Sequence, residues 1–320
     1  MPDFSAALAK ARKKYTQPYL ISKGRSGIYG LFRWILLFGL AFVICFPFIV
    51  KLSASFMSKS DLYDSMVKFI PRNPTLENYT YVAEYTDYFG ALFNTAWIST
   101  LYALLQVLCC ALVGYGLAKF RFRGKGVLFA LVIFTMIIPP QATVNALYMN
   151  FRYFNPLGIF GLFSKQLPNL VDSPYPMILL SSCGLALKNG LYIVLMRQFY
   201  KGVPDEMIEA AEVDGAGAVR TFVRIIFPMT TPMLVTIFLL AFSWQWTDVY
   251  YSGLLFQDFN VLSNIVMRVG QIGGEGYQGS KMSSVLINTA SIMVITPLLI
   301  LYLFAQKKLI QGIERTGLVG

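Results

Sequence analysis

Long apolar stretches alternate with short polar segments along this chain. Most of these stretches reach the roughly 20 residues that a helix needs to cross the hydrocarbon core of a bilayer. Pro139 and Pro140 lie inside the third stretch and predict a kink or a break there. The pattern predicts an all-α integral membrane protein with six transmembrane helices, at residues 31–52, 92–118, 127–149, 177–200, 233–256 and 284–304.

The polar segments complete the predicted organisation. Residues 1–30 are polar and basic and are predicted to form a cytoplasmic N-terminal tail. Residues 31–305 form the six-span transmembrane domain, which includes one long loop of mixed polarity at residues 204–228. Residues 306–320 form a cytoplasmic C-terminal tail. We expect no further domain within these 320 residues.

The composition supports a membrane protein and excludes a soluble one. Hydrophobic residues make up 56% of the chain and charged residues 13%, against about 25% charged in soluble domains. The mean hydropathy is +0.57. The formal net charge of +11 would fit a nucleic-acid partner, but the basic residues cluster at the ends of the apolar stretches. This placement indicates contact with membrane lipid and no nucleic-acid partner.

The basic residues also predict the orientation in the membrane. Eighteen of the 27 Lys and Arg residues lie on the side that holds both termini and the 204–228 loop, eight lie on the other side, and Lys188 falls within a span. Basic residues are enriched in cytoplasmic loops. We therefore predict a multi-pass protein of the cell (cytoplasmic) membrane with both termini in the cytoplasm.

Several kinds of chemistry are missing from the sequence. The chain has no histidine, which is the commonest zinc ligand and general base, and its four cysteines lie in apolar runs. It also lacks the G-x-x-x-x-G-K-[ST] motif that binds ATP phosphates. We therefore predict no metal site, no catalytic residue and no ATP hydrolysis on this chain.

The most informative stretch is PDEMIEAAEVDGAGAVRTFVRIIFP, at residues 204–228. Pro204 suits the first position of a short helix, and the acidic residues that follow suit the positive end of its dipole. Gly215 is predicted to end the helix in a left-handed conformation. From shape alone, this amphipathic helix would also fit the surface of a bilayer.

The residues of this loop resemble the EAA motif of ABC-importer permeases. Glu209, Ala210 and Ala211 are followed by Gly215 after three residues, and Ile225-x-Phe227-Pro228 follows after nine more. Phe227 stands where the family usually has leucine. Asp214 before Gly215 is similar to the form found in carbohydrate permeases of the maltose-transporter type.

This resemblance extends over nearly the whole chain and implies a function and its partners. It implies the fold of a type I ABC importer permease, which translocates a carbohydrate, in particular an oligosaccharide, delivered by an extracellular solute-binding protein. It also implies a separate ATPase dimer, which would bind ATP and Mg²⁺, and a second homologous permease subunit. The C-terminal tail departs from the family's small-residue ending, so its contact with the ATPase is not implied.

The resemblance assigns roles to single residues of the loop. Glu209 would form a polar contact with the ATPase, Ala210 and Ala211 would permit close approach, and Gly215 would set the turn. The remaining positions that match the ATPase-coupling motif are Asp214, Ile225 and Pro228.

Polar and aromatic residues inside the predicted spans are candidates for the solute path, because polar groups are costly in lipid. Amides also bond between helices, and Trp244 with its neighbours would fit an aromatic belt at the membrane interface. Both interpretations stay open. The candidates are Asn94, Lys188, Asn189, Trp244, Gln245, Asp248 and Asn288.

Lys188 and Asp248 allow two hypotheses. In the first, the two residues form a structural ion pair. In the second, Lys188 lines the path of the solute. As an ion site they would also fit a secondary transporter, which is the alternative class together with an ABC permease for a non-sugar solute. An intramembrane enzyme is a further alternative, although no catalytic grouping is evident.

Overall fold

The structure is a computed structural model that describes residues 17–163, 166–271 and 281–317. Within these ranges the regular secondary structure is helical, without strands, so the predicted all-α class is confirmed. The chain forms two compact units, Met1–Pro74 and Thr75–Gly320. Residues 1–16 and 318–320 of the predicted tails lie outside the described part of the chain.

The first unit consists of one long helix followed by a folded loop. Helix α1 (Gln17–Ser55) begins inside the predicted N-terminal tail and continues through the first predicted span. After it, Ser58 caps the short helix α2 (Lys59–Tyr63). The buried carboxylate of Asp61 accepts hydrogen bonds from the backbone N–H of Asn73 (2.9 Å) and from its side-chain amide (3.1 Å). These bonds fix the loop that leaves the first span.

The second unit contains the remaining helices. In chain order they are α3 (Glu77–Tyr85), α4 (Tyr88–Lys119), α5 (Lys125–Ile137), α6 (Pro140–Arg152), α7 (Ile159–Phe163), α8 (Tyr175–Ser182), α9 (Asn189–Lys201), α10 (Glu206–Val213), α11 (Ala218–Thr221), α12 (Phe227–Met229), α13 (Thr231–Trp246), α14 (Tyr250–Leu255), α15 (Leu262–Gln271) and α16 (Lys281–Gly317).

Helix α4 forms the centre of this unit. It packs against α8, α9 and α13, and it carries buried residues along most of its length. Gly114 permits its close approach to α9, because a Cβ at this position would lie 2.6 Å from the Cβ of Met196. Any larger residue would push the two helices apart. Small residues at helix contacts in membranes allow this close approach.

The third predicted span is broken, as its two prolines indicate. Helix α5 ends at Ile137, and α6 begins at Pro140 after two residues in extended conformation. The axes of Lys125–Ile137 and Pro140–Leu162 differ by 102°. The prediction of a break at Pro139 and Pro140 is therefore confirmed.

The fourth predicted span was expected to be continuous, and this was wrong. Residues 183–188 separate α8 from α9, with Gly184 (φ 74°) and Lys188 (φ 66°) both in the left-handed region. The N–H groups of Leu185 and Ala186 both donate to the carbonyl of Leu180 (2.9 and 3.1 Å). The apolar residues around Gly184 concealed this break, because hydropathy does not report backbone conformation.

The fifth predicted span is also interrupted, near its end. Helix α13 ends at Trp246, and the buried carboxylate of Asp248 starts α14. It accepts hydrogen bonds from the N–H groups of Tyr250, Tyr251 and Ser252 at 2.8–3.3 Å. A carboxylate that satisfies these otherwise unpaired donors begins a new helix rather than extending the old one.

By length and composition, three helical segments qualify as single spans in the described residues, and two bent helix pairs raise the count to five. The fourth predicted span, now α8 and α9, is not among them. The sixth predicted span, in contrast, continues beyond residue 304, because α16 runs without interruption to Gly317. Most of the predicted C-terminal tail is therefore the end of this helix.

Candidate functional site

The predicted coupling segment (residues 204–228) begins with the short helix α10. The carbonyl of Asp205 accepts the first helical bonds, from the N–H groups of Ile208 (2.9 Å) and Glu209 (3.0 Å). Asp205 is thus the N-cap through its carbonyl, while its side chain makes no capping hydrogen bond. The prediction that Pro204 takes the first helical position was wrong, since Pro204 precedes the cap.

Gly215 ends α10 in the predicted left-handed conformation, with φ 76°. Its N–H donates to the carbonyl of Glu212 (3.0 Å), and the N–H of Ala216 donates to the carbonyl of Ala211 (2.9 Å). These two bonds form a Schellman motif, which satisfies the last carbonyls of a helix. The direction in which the chain leaves α10 therefore depends on the backbone of Gly215.

The EAA residues of α10 point in two directions. Ala211 is buried against its own chain, at 4% exposure, whereas Glu209 and Ala210 are exposed. Met207 and Val213 are exposed as well, Val213 at 88%. Helix α10 therefore presents a surface with a carboxylate, a small residue and two apolar side chains. Asp214, at the C-cap, is also exposed.

The rest of the coupling segment packs against the end of α4. Residues Phe222–Ile226 form a π-helical turn between α11 and α12, and Phe222 and Ile226 are buried. The ring of Phe222 lies 4.8 Å from that of Tyr115 on α4. Of the two remaining motif residues, Ile225 is half-buried and Pro228 is exposed.

Lys119, the last residue of α4, contacts the start of the coupling segment. Its Nζ donates to the carbonyl of Val203 (2.6 Å) and to Oδ1 of Asp205 (2.5 Å). This hydrogen bond and the adjacent positive charge lower the pKa of Asp205 below its ordinary value. In the sequence, Lys119 is one of the eighteen basic residues predicted on the cytoplasmic side. A basic residue at the C-terminus of a span was the available signal, but it does not reveal the partner.

A second feature is a cavity of about 410 Å³ between the helix breaks of the third and fourth predicted spans. One side is formed by residues around Pro139 and Pro140, where α5 gives way to α6. The other side is formed by the chain from Gly184 to Leu191, where α8 gives way to α9. The cavity is largely apolar, and Lys188 is the charged residue that lines it.

The structure does not form the ion pair that was hypothesised between Lys188 and Asp248. The two ion pairs seen among the described residues involve other side chains. The ammonium of Lys188 lies 4.7 Å from the centre of the Trp244 ring, within the range of a cation–π interaction. Asp248 is occupied with the first turn of α14. The ion pair does not form because backbone N–H donors, rather than Lys188, satisfy this buried carboxylate.

Asn189, at the start of α9, is 1% exposed, and neither polar atom of its side chain has a hydrogen-bond partner among the residues that the structure describes. Asn94 has a partner, because its amide donates to the carbonyl of Asn260 (3.0 Å) and joins α4 to the segment before α15. Gln245 is buried on α13, and Asn288 is half-buried on α16. Of the predicted solute-path residues, the structure brings Lys188 and Trp244 into direct contact.

One buried polar residue was missed by the sequence analysis. Gln106 lies near the middle of α4, is 3% exposed, and its Oε1 has no partner among the described residues. A lone glutamine inside an apolar stretch was the available signal.

Comparison with known proteins identifies the family. Residues 110–315 match the family described as binding-protein-dependent transport system inner membrane component. This match covers the coupling segment, the helix breaks of the fourth and fifth predicted spans, and α16 as far as residue 315.

Similar proteins extend the comparison over most of the chain. It is 26% identical to the arabinooligosaccharides transport system permease protein AraQ of Halalkalibacterium halodurans, over 91% of this chain and 98% of that protein. It is 27% identical to the melibiose/raffinose/stachyose import permease protein MelC of Bacillus subtilis, over 86% of this chain and 91% of that one.

A solved structure shares the fold. It is a chain of a bacterial ABC transporter involved in the import of the acidic polysaccharide alginate, with a TM-score of 0.70, 22% identity, and coverage of 88% of this chain and 97% of that chain. The fold is thus that of an ABC importer permease, as predicted. The chain belongs to the family of binding-protein-dependent transport system inner membrane components.

Proposed function

We propose that this chain translocates an oligosaccharide, delivered by an extracellular solute-binding protein, as a permease subunit of an ABC importer. The observation that carries the proposal is α10, a short helix whose buried Ala211 holds it to the chain while Glu209 and Ala210 remain exposed. The choice of solute is supported by the names of the relatives, which transport arabinooligosaccharides, melibiose, raffinose and stachyose.

The energy for transport comes from a separate ATPase dimer that binds ATP and Mg²⁺. On this chain, the exposed surface of α10 binds the ATPase. Apolar side chains at 36% (Met207) and 88% (Val213) exposure are costly to leave in water, so a partner that covers them gains free energy. A second permease of the same family completes the transmembrane pathway, and both termini of this chain lie in the cytoplasm.

The solute path includes the cavity between the two helix breaks. Irregular backbone at membrane depth is tolerated only where protein buries it or where it lines a wet cavity. Lys188 lines this cavity and offers the solute a cation, and the ring of Trp244 lies beside that ammonium, 4.7 Å away, without lining the cavity. Of the other predicted path residues, Asn189 follows Lys188 at the start of α9, whereas Asn94, Gln245, Asp248 and Asn288 do not line this cavity.

One experiment tests the function. The chain would be purified with its ATPase, its sister permease and its binding protein and then placed in liposomes. We expect uptake of an oligosaccharide that requires both ATP and the binding protein. Uptake driven by an ion gradient without ATP would contradict the proposal and support a secondary transporter. ATP-dependent uptake of a solute other than a sugar would correct the solute class alone.

The proposed orientation predicts which loops are accessible from each side. In a variant without the native cysteines, a single cysteine at Gly124, between α4 and α5, should react with an impermeant thiol reagent only after the cells are opened. A cysteine at Thr75 should react in intact cells. Position 124 is exposed and a Cβ there meets no atom within 4 Å, so the label is not blocked by this chain; because its φ of 85° strains a cysteine, the protein level is measured as well. Labelling of position 124 from outside would contradict the orientation.

Replacing Lys188 with methionine is expected to keep the protein at its normal level and to reduce uptake. An unpaired lysine deep in a membrane costs at least about 2.5 kcal/mol, so its removal does not endanger the fold. Lys188→Arg keeps the cation over Trp244 and is the matched control, expected to retain most of the uptake. Uptake and protein level are measured together. Unchanged uptake in Lys188→Met would remove this residue from the path.

The structure also predicts that adding Asp248→Leu to Lys188→Met does not restore uptake. Asp248 accepts four hydrogen bonds from α14, so Asp248→Leu should lower the protein level whether or not Lys188 is present. Restoration of the protein level in the double variant would instead support the ion pair.

A further inference from the structure

Lys119 connects α4 to the start of the coupling segment through two hydrogen bonds. One goes to the backbone carbonyl of Val203 (2.6 Å) and the other to the carboxylate of Asp205 (2.5 Å). Asp205 is the N-cap of α10, and Val203 is 7% exposed. The lysine therefore holds the backbone just before α10 as well as the residue that begins it.

The burial of the two partners is unequal, and this decides how the contact acts. The side chain of Lys119 is 10% exposed, whereas that of Asp205 is 74% exposed. A fully exposed pair would contribute little, because water competes for both charges. Here the ammonium is largely removed from water and needs both oxygens to replace its hydration. Breaking either bond would leave this ammonium without a replacement for its hydration, so both bonds favour a fixed position of the start of α10 relative to α4.

A second contact joins the same turn of α4 to the far end of the coupling segment. Tyr115, four residues before Lys119, packs against Phe222 with ring centres 4.8 Å apart and against Tyr200 at 5.4 Å. Residues four apart lie on one face of a helix. The last turn of α4 thus contacts the chain on both sides of α10.

The neighbouring basic residues do not duplicate this contact. Lys125 donates to the carbonyls of Ala118 and Phe120, and Arg197 donates to that of Leu117, so both hold the end of α4. In the region that the structure describes, Lys119 is the basic side chain whose hydrogen bonds reach residues 203–205.

Movement that reaches α4 is passed to the rest of the second unit. Helix α4 packs against α9 with Gly114 in close contact with Met196, and it also packs against α13. Tightly packed helices move together rather than deform. A displacement of α10 that is transferred to the last turn of α4 therefore reaches the helices on either side of it.

We propose that Lys119 is a positioning residue that makes α10 and α4 move as one body, so that displacement of the coupling helix by the ATPase becomes displacement of the second span. This inference rests on the proposed function. Without Lys119, the ATPase would still bind α10 and split ATP, but α10 would move against α4 and less of that motion would reach the transmembrane helices.

The test measures solute imported per ATP hydrolysed by the complete transporter in liposomes. Lys119→Met removes a buried charge and leaves the exposed Asp205 to water. Because it also takes away a hydrogen bond from the carbonyl of the buried Val203, the protein level is measured together with the ratio. We expect normal ATPase binding and hydrolysis. Import per ATP should fall by a factor of roughly five or more, because this is the loss expected when a typical coupling free energy is removed. Lys119→Arg, which can still donate to both oxygens, should restore the ratio. Arg123→Met, an exposed cation of the same loop, is the matched control and should not change it.

A purely structural role for Lys119 would lower the protein level and both rates together and leave import per ATP unchanged, and this result would overturn the inference. If Lys119→Met does not accumulate, Asp205→Ala gives a second test with Glu206→Ala as its control. Asp205→Ala should lower the ratio less, since Val203 still accepts from Lys119, and an unchanged ratio would again overturn it. Loss of ATP-dependent uptake in the unmodified transporter would instead contradict the proposed function itself.

Discussion

Replacement of Gly215 with valine is expected to abolish solute uptake while the protein stays in the membrane at its normal level. Gly215 has φ 76°, a conformation that costs an ordinary residue about 1–2 kcal/mol and a β-branched residue more. A Cβ at this position meets no atom within 4 Å, so the effect comes from the backbone and not from a collision. The chain would leave the left-handed region, the Schellman bonds would be lost, and α10 would no longer present Glu209 in its present direction.

Two controls separate this effect from the added volume. Gly217 lies two residues further on, has φ −68°, and is equally open, so Gly217→Val adds the same atoms without backbone strain and should retain uptake. Gly215→Asn should be milder than Gly215→Val, because asparagine tolerates the left-handed region. Uptake and the amount of protein in the membrane are measured for all three variants. Normal uptake by Gly215→Val at a normal protein level would refute the role of this turn.

Glu209→Ala is expected to weaken binding of the ATPase and to lower uptake strongly without destabilising the chain. Glu209 is exposed, and the ion pairs of the described residues do not include it, so the isolated protein loses no visible contact. At an interface, truncating one member of a buried hydrogen-bonded charge pair costs about 2–5 kcal/mol. This corresponds to at least about a 30-fold loss of affinity for the ATPase.

The measurement is co-purification of the ATPase with each variant, together with uptake. Glu206→Ala is the matched control, because Glu206 is an exposed carboxylate one turn earlier on the same helix. It should retain the ATPase. We expect Glu209→Ala to be less severe than Gly215→Val, which moves the backbone, whereas the other change removes one contact. Equal retention by both glutamate variants would contradict the assigned role of Glu209.

The sequence predicted those features that depend on residue type at a fixed spacing. Gly215 was correctly placed in the left-handed region, because glycine at the end of a short amphipathic helix has few other uses. The break at Pro139 followed from the missing N–H of proline. The family was also recognised correctly, since the EAA spacing from Glu209 to Pro228 is long and specific.

Features that depend on tertiary contacts could not be predicted in this way. The interruption at Gly184 and Lys188 lies in apolar sequence, and no local rule places a lysine in the left-handed region. Asp248 was assigned to the membrane interior as a candidate partner for Lys188, but the nearby N–H groups of α14 satisfy it instead. Lys119 looked like one more cytoplasmic charge, because its partners lie more than eighty residues away.

The π-helical turn at Phe222–Ile226 sets the rotational phase of the earlier part of the coupling segment relative to α12, which leads into the fifth span. Each residue of an α-helix advances the chain by about 100°. A π turn holds one residue more than an α turn, so it rotates everything on its N-terminal side relative to α12 and α13. With this phase, Phe222 faces Tyr115 while the exposed side of α10 stays free. Conversion of the turn to α geometry would aim α10 in another direction, although every residue of the EAA motif would still be present.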